Sequence, residues 1–367
     1  MDLFEIKLPR KRLHPYFKSL IDEEHLSPVR DVIQSWGTGL LDRKNEQEKF
    51  VNEFQITFNS AFWELYLNKV FMSLNMVVNY TKESPDFHVT TADGYSFNVE
   101  AVVADPTIND APQFEISDEE DFIDDCTIKL LGKIKQKLDL FNGTKGKRYP
   151  YSSLSHVDGK PFIIAVAPFN RNYAFSQNNI AINRVLFGID RPMPDGKIPL
   201  METISKPNGT KLDLGIFTND SFKEISAIIF STTGMLGKAI IESRIPCSIR
   251  ATRYRQIYQY DFLKEEGLEN LGMKYHKISP THEIFTNRFE IGKFICGSDV
   301  HLCHSSEYQE SHVDGLHVYF NPYALIPLEE NVFDDFAITH NFYDIDRKEC
   351  IMVHHDNSLV SRQVFNY

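Results

Sequence analysis

Residues 85 to 104, PDFHVTTADGYSFNVEAVVA, read as two short strands, Asp86 to Thr91 and Tyr95 to Val103, joined at Ala92-Asp93-Gly94. Asp-Gly between alternating apolar residues is a strong local hairpin signal, and a hairpin fixes which side chains share a face. The loop length decides what this one can do. With a two-residue loop, Asp93-Gly94, the carboxylates of Asp86 and Glu100 point to opposite faces of the sheet. With a three-residue loop, Gly94 taking the left-handed bulge position, Asp86 lies directly across from Glu100, with Cβ atoms roughly 5 Å apart. Like charges that close repel, and a cation between them turns the pair into a site. Glu100 is set among Phe97, Val99, Val102 and Val103, so its strand is buried on at least one face, where an unpaired carboxylate is costly. The plainer alternative is two acids, each paired to some Lys or Arg.

The flanking segments supply the layers into which the hairpin packs. From Asn45 to about Leu74, Phe50, Phe54, Phe58, Phe62, Leu65 and Phe71 recur at helical spacing without Pro or Gly, which predicts one core helix. On it Glu64 is flanked by Phe62, Trp63, Leu65 and Tyr66, a setting in which a carboxylate has a raised pKa or holds a cation or donor; an ordinary helix-surface glutamate is the alternative. A strand at about Met76 to Tyr80 precedes the hairpin. Ser117 to Phe141 reads as a second helix, opening on the capping-box pattern Ser117-Asp118-Glu119-Glu120. Ile123, Leu130, Ile134, Leu138 and Phe141 form its apolar stripe, and Lys129, Lys133 and Lys137 align on an adjoining face. Pro161 to Pro168, PFIIAVAP, is a nearly unbroken apolar run, the mark of a strand covered on both faces. Helix, three strands, helix, strand is an α/β layer arrangement with a mixed sheet.

Beyond Phe169 the pattern predicts a helix near Asn178 to Phe187 and hairpin-like material from Met201 to Phe217. Strands follow at Ile225 to Ser231, Leu316 to Phe320 and Cys350 to His354, with NPYALIPL (Asn321 to Leu328) as a rigid connector. No repeat or low-complexity linker divides the chain. An N-terminal arm, 1–43, carrying the basic run KLPRKR, therefore precedes a core, 44–170, on which an α+β C-terminal region, 171–367, is expected to pack.

With 367 residues, 42% of them hydrophobic, the chain can bury one large or two ordinary cores. Five scattered cysteines argue against a disulfide framework. No apolar run of 18 residues and no apolar leader segment occur, so no membrane span, no signal peptide and a cytoplasmic location are expected. A net charge of −12 argues against indiscriminate coating of nucleic acid, although local basic surface can still act on it. From Asp105 to Asp125 there are nine acids and no Lys or Arg, whereas from Lys129 to Arg148 seven basic residues face only Asp139. A cation-binding neighbourhood beside a phosphate-binding one fits this asymmetry. An acidic loop beside a solvated helix face fits it equally.

The arrangement of Glu64 on the first helix, Pro85-Asp86 opening a strand and Val99-Glu100-Ala101 on the next resembles the PD-(D/E)xK nuclease superfamily, the restriction-endonuclease-like enzymes, over residues 45 to 170. The resemblance implies an α-β-β-β-α-β core with a central mixed sheet flanked by helices. It also implies Mg²⁺, or Mn²⁺ as substitute, held by Asp86, Glu100, the carbonyl of Ala101 and Glu64. The Lys expected two residues after the second acid is absent, since position 102 is Val102. Some members supply that charge from the following helix, which makes Lys133 and Lys137 candidates; Lys137-x-x-x-Phe141 resembles a Gln-x-x-x-Tyr variant with Lys in place of Gln. The basic stretch with Lys145, Lys147 and Arg148 would track a phosphate backbone. The implied function is endonucleolytic phosphodiester hydrolysis, of DNA before RNA, in bacterial or phage defence, acting as a homodimer or with a partner protein. An inactive nucleic-acid-binding or scaffold relative is the competing expectation.

Two other patterns fit poorly. Cys296, His301, Cys303, His304, His312 and His317 offer zinc ligands at spacings that match no usual finger or ribbon. Ser231 to Lys238, STTGMLGK, fails the phosphate-loop pattern because two residues separate Gly234 from Gly237 and Ala239 follows the Lys.

Overall fold

The computed structural model describes residues 1–43, 46–104, 119–144, 149–169, 178–191, 193, 198–259, 272–291 and 294–367. Helices α1 (Pro15–Asp22), α2 (Ser27–Trp36), α3 (Gln47–Ile56) and α4 (Phe58–Ser73) come first, then strands β1 (Val77–Val78), β2 (Phe87–Thr90) and β3 (Ser96–Val103). Next are α5 (Glu119–Asn142), β4 (Phe162–Ala167), α6 (Ile180–Phe187), the hairpin β5 (Thr203–Ser205) and β6 (Lys211–Asp213), β7 (Ala227–Ser231) and α7 (Leu236–Glu242). The chain continues through β8 (Ser248–Gln259), β9 (Gly272–Ser279), β10 (His282–Ile291) and β11 (Phe294–His304), and closes with β12 (Leu316–Phe320), β13 (Ile338–Asp344), β14 (Glu349–Val353) and β15 (Leu359–Phe365). No helix among the described residues is long and apolar enough to cross a membrane.

A mixed sheet in the order β1-β2-β3-β4-β7-β12-β13-β14 forms the middle layer. Its central strands β3, β4 and β7 run parallel. The sequences of β4 and β7 are apolar at successive positions because both faces of these strands are covered. Phe97, Val99, Ala101 and Val103 of β3, with Ile163, Ala165 and Ala167 of β4, face the core built on α1 to α4. Phe162, Ile164 and Val166 face the core of α5 and α6. A parallel strand sandwiched in this way has no polar side to show. The sheet runs across residue 170: β7, β12, β13 and β14 from the C-terminal half extend it, so the boundary expected there does not divide the core.

A further expectation changes. The single helix from Asn45 to Leu74 is two helices broken at Thr57, whose φ and ψ are −107° and 49°. Thr57 Oγ1 takes the Glu53 carbonyl at 3.0 Å, the local competition by which Ser and Thr loosen helices. The break frees the Gln55 carbonyl, which accepts from His14 N at 2.7 Å and ties down the N-terminal segment. The first 43 residues pack on the same core. Leu13, Phe17, Leu20, Ile33 and Trp36 all lie in the core. In α4 the burial runs round the whole circumference, which makes it a central helix rather than an amphipathic surface one.

A second, antiparallel sheet, β15-β8-β11-β10-β9, packs one face on the first core through Ile249, Ala251, Cys303 and Val364. The joint is locked by buried charge. The Glu310 carboxylate meets Lys238 Nζ at 2.8 Å and Arg362 Nε at 3.2 Å, with the Lys238 and Glu310 side chains fully enclosed. This disposes of the phosphate-loop reading: Lys238 is spent inward, also donating to the carbonyls of Ser311 and Asp314 at 3.0 and 3.1 Å. Gly237 is there for room, since a Cβ would stand 2.2 Å from Arg362 Nη1.

Burial alone would raise the Glu310 carboxyl, but Arg362 and Lys238 outweigh it and hold it down at about 2. Burial also lowers Lys238, contrary to what an ion pair does to a lysine. We take the cluster as ionised because Glu310 has two cations and Lys238 has two carbonyl acceptors besides. Glu310→Gln strands both cations in the interior and is expected to cost about 3–5 kcal/mol in urea unfolding at neutral pH. Because the folded carboxyl is depressed, its contribution is complete above its ordinary value of 4.5 and is lost as pH falls toward about 2. The gap between wild type and variant should narrow over that window, and a gap independent of pH would refute the assignment.

Candidate active site

The site begins with the register of one hairpin. Phe87 pairs with Val99, His88 with Asn98, Val89 with Phe97 and Thr90 with Ser96, which sets Asp86, one residue before β2, opposite Glu100. The loop is the three-residue form: Thr91 N donates to Tyr95 O at 2.8 Å, Gly94 N to Thr91 O at 3.0 Å, and Gly94 has φ +92°. That φ is open to glycine and strained for other residues.

Because β2 begins only at Phe87, the Asp86 side chain takes over at the strand end. Its Oδ2 accepts from Ala101 N at 2.7 Å, while Glu100 Oε2 accepts from Asp86 N at 3.4 Å. Each acid thus holds the main chain of the opposite strand. Glu100 points away from the Val99 and Ala101 side of β3, toward α5, and is 3% exposed.

Lys137 of α5 closes the site, its Nζ 2.6 Å from Glu100 Oε1. It arrives from the helix, not from position 102, where Val102 lines the same cleft. Lys133, one turn earlier, faces the cleft with no ion-pair partner among the described residues. Lys129 is committed elsewhere, 2.6 Å from Asp125. The cleft, about 280 Å³, is lined by Ser60, Glu64, Asp86, Ala101, Lys133 and Lys137. Glu64 and Asp86 also line a smaller cavity of about 100 Å³ with Arg43, Glu46, Glu53 and Glu83. All five proposed catalytic residues therefore gather at one place.

Two contributors escaped the sequence reading. Arg43 Nη2 donates to the Asp86 carbonyl at 2.8 Å, and the Tyr151 hydroxyl lies 3.5 Å from Glu100 Oε1. Neither has a local sequence signal, since each reaches the site from a distant segment. Lys145, Lys147 and Arg148 lie outside the described residues, as does the acidic stretch 105–118. The zinc candidates do not converge. His312 bonds Glu242 Oε1 and the Tyr66 carbonyl, His317 faces Asn179, and His301 pairs with His282.

The electrostatics are frustrated. Burial and the neighbouring charge of Asp86 raise Glu100 to about 7, against the opposing pull of Lys137. Burial, then Asp86, raises Glu64 well above the usual carboxyl range. Burial likewise raises Asp86 despite Lys137 and the Ala101 N–H. Lys137 would be lowered by burial, but Glu100 and Asp86 raise it, so it stays charged.

An added cation would relieve all three carboxyls, and the donors are hard oxygens of the kind that suit Mg²⁺. Asp86 Oδ1 has no hydrogen-bond donor among the described residues. Among those residues, however, no three acidic, His or Cys side chains stand close enough together to form a metal-binding group. The carboxylate set is a pair, Asp86 and Glu100, with Glu64 on the same cleft. Comparison with models of protein families, with curated proteins and with solved structures finds no match for this chain.

Since Glu100 is raised from 4.5 to about 7 on folding, the stability it lends is complete below 4.5 and is lost as pH rises through 7. In metal-free protein, Glu100→Gln should gain stability relative to wild type over that interval, by roughly 1–3 kcal/mol. Urea unfolding between pH 5 and 8 checks this, and parallel curves for the two proteins would contradict it.

Proposed function

We propose that this chain is a metal-dependent phosphodiesterase that cleaves nucleic acid, DNA in the first instance. The observation that carries the reading is the pairing of Asp86 with Glu100 across the hairpin, with Lys137 from the next helix standing where Val102 leaves no charge. Hydrolysis of a phosphodiester needs an activated water, neutralisation of charge gathering on phosphorus, and help for the leaving oxygen. Asp86 and Glu100, the Ala101 carbonyl and Glu64 would hold Mg²⁺ or Mn²⁺, and the bound ion would lower the pKa of water and polarise a phosphoryl oxygen.

The chain's own groups do the rest. Lys137, kept protonated by the two acids, places an ammonium beside the scissile phosphate, where it opposes the developing charge. Lys133, which lines the cleft with no ion-pair partner among the described residues, binds a phosphate oxygen and sets the backbone in register. Arg43 and the Ala101 N–H hold Asp86 from two sides, so the acid is positioned before substrate arrives.

One observation favours a second reading, a nuclease-like fold that binds without cutting. Lys137 already neutralises Glu100 at 2.6 Å, and no three-carboxylate group forms among the described residues. Incubation of the purified protein with plasmid and single-stranded circular DNA separates the two. Mg²⁺ or Mn²⁺ should support cleavage and EDTA abolish it; Asp86→Asn and Lys137→Met should each lower the rate roughly 10²–10³-fold with melting unchanged. Wild-type protein inert with both metals would favour the binding module. Cleavage that persists in EDTA would overturn the metal-dependent mechanism.

A further inference from the structure

The second sheet has a closed face and an open one. On the closed face the arginines are matched to acids: Arg253 to Asp314, Arg255 to Asp299 and Asp356, Arg288 to Asp299, and Arg362 to Glu310. The open face is different. Register lines up Lys277, Glu283, Leu302, Arg250 and Gln363 in one row across all five strands. Tyr275 and Phe285 form a cross-strand pair in the adjacent row, ring centroids 5.2 Å apart.

Phe289 and Phe365 lie on the same side, and Tyr275, Phe285, Phe289 and Phe365 are 52%, 42%, 44% and 44% exposed. Arg250 and Lys277 are exposed and have no ion-pair partner among the described residues, while Glu283 is the acid on the row. Between Arg250, Leu302, His304 and Phe365 the surface dips into a hollow of about 370 Å³.

We propose that this face binds single-stranded nucleic acid, with bases stacked on Tyr275–Phe285 and Phe365 and phosphates held by Arg250 and Lys277. Exposed rings flanking a row that carries Arg250 and Lys277 against the single acid Glu283, which stands opposite Lys277, suit a polyanion with π faces, because bases can stack on the rings and phosphates can pair with the cations. A protein partner would accept the rings and Arg250 but not Lys277 and Glu283, since Lys and Glu are depleted at the centre of protein interfaces. Arg250 and Lys277 sit three strands apart in one row, roughly 14 Å at about 4.8 Å per strand, with Tyr275 and Phe285 on the row to one side and Phe365 on the row to the other. No stretch of sequence shows this interleaving, because each strand contributes only one or two of the residues. The inference leans on the hydrolytic reading only for why a strand would be delivered here; the binding is independent of it.

The test is fluorescence anisotropy with a labelled 20-nucleotide oligo-dT in EDTA, so that nothing is cut, with light scattering on the same samples. Tyr275→Ala/Phe285→Ala, and separately Phe365→Ala, should weaken binding about tenfold or more. Arg250→Ala should reduce the slope of log K against log salt by roughly 0.7. These side chains are exposed, so melting should not move, and Phe365→Ala and Arg250→Ala keep the test intact should the double variant misfold.

No binding of oligo-dT by wild type, or binding indifferent to all three changes, overturns the proposal. So does a dimer that the double variant converts to monomer, because a second copy would then cover the face. A protein that binds oligo-dT here but cuts nothing with Mg²⁺ would sink the hydrolytic reading alone. One that cuts, with binding insensitive to these changes, would sink this proposal alone.

Discussion

Two carboxylates held opposite one another on the buried side of a sheet are the constraint to which the surrounding structure answers. Unit charges roughly 5 Å apart repel by the order of 3 kcal/mol at an effective dielectric of about 20, and burial adds to the cost of charging either one. The fold nevertheless keeps Asp86 and Glu100 together. Each is bonded to the other's strand, Arg43 grips the Asp86 carbonyl, and Lys137 and Tyr151 converge on a single Glu100 oxygen. With so many fixed donors the acids cannot relax apart, so the remaining way to lower their energy is to take up a proton or a cation. Raised carboxyls on Glu64, Asp86 and Glu100 express that pressure in the metal-free protein.

The rest of the molecule holds this arrangement rigid. Strand β3 is gripped between β2 and β4 with helices above and below, so Glu100 cannot turn outward without displacing α5. Helix α4 carries Glu64 on a cylinder buried nearly all round and anchored by Trp63 Nε1 to the Ala165 carbonyl at 3.0 Å. The second sheet joins the same core through apolar contacts and the Lys238, Glu310 and Arg362 cluster. One face of that sheet is thereby committed to stability, which leaves the other available for a partner.

The sequence revealed the local features and hid the long-range ones, for physical reasons. A hairpin is legible because its turn chemistry and two-residue period lie within twenty residues; what stayed open was the loop length, which Gly94 settles only through its φ. Lys133 and Lys137 could be named only because the resemblance implies a Lys that position 102 lacks and that some members of that superfamily take from the following helix. Strands β8 to β11 were not foreseen, because a sheet with polar pairs on one face and rings scattered on the other shows no clean alternation. The break at Thr57 was invisible to periodicity, since the Phe spacing carries straight through it. Arg43 and Tyr151 enter from segments whose own sequences say nothing of the acids they serve, and pairing of strands from either side of residue 170 in one sheet leaves no local mark in the sequence.

The claim that matters most is that the crowded acids constitute a cation site. Titration of metal-free protein with Mn²⁺, followed by electron paramagnetic resonance of the free ion, reads this without reference to catalysis or nucleic acid. The account expects saturable uptake by wild type near neutral pH that is lost in Asp86→Asn and in Glu100→Gln while both variants stay folded. Uptake that survives both substitutions, or none in the wild type, would contradict it.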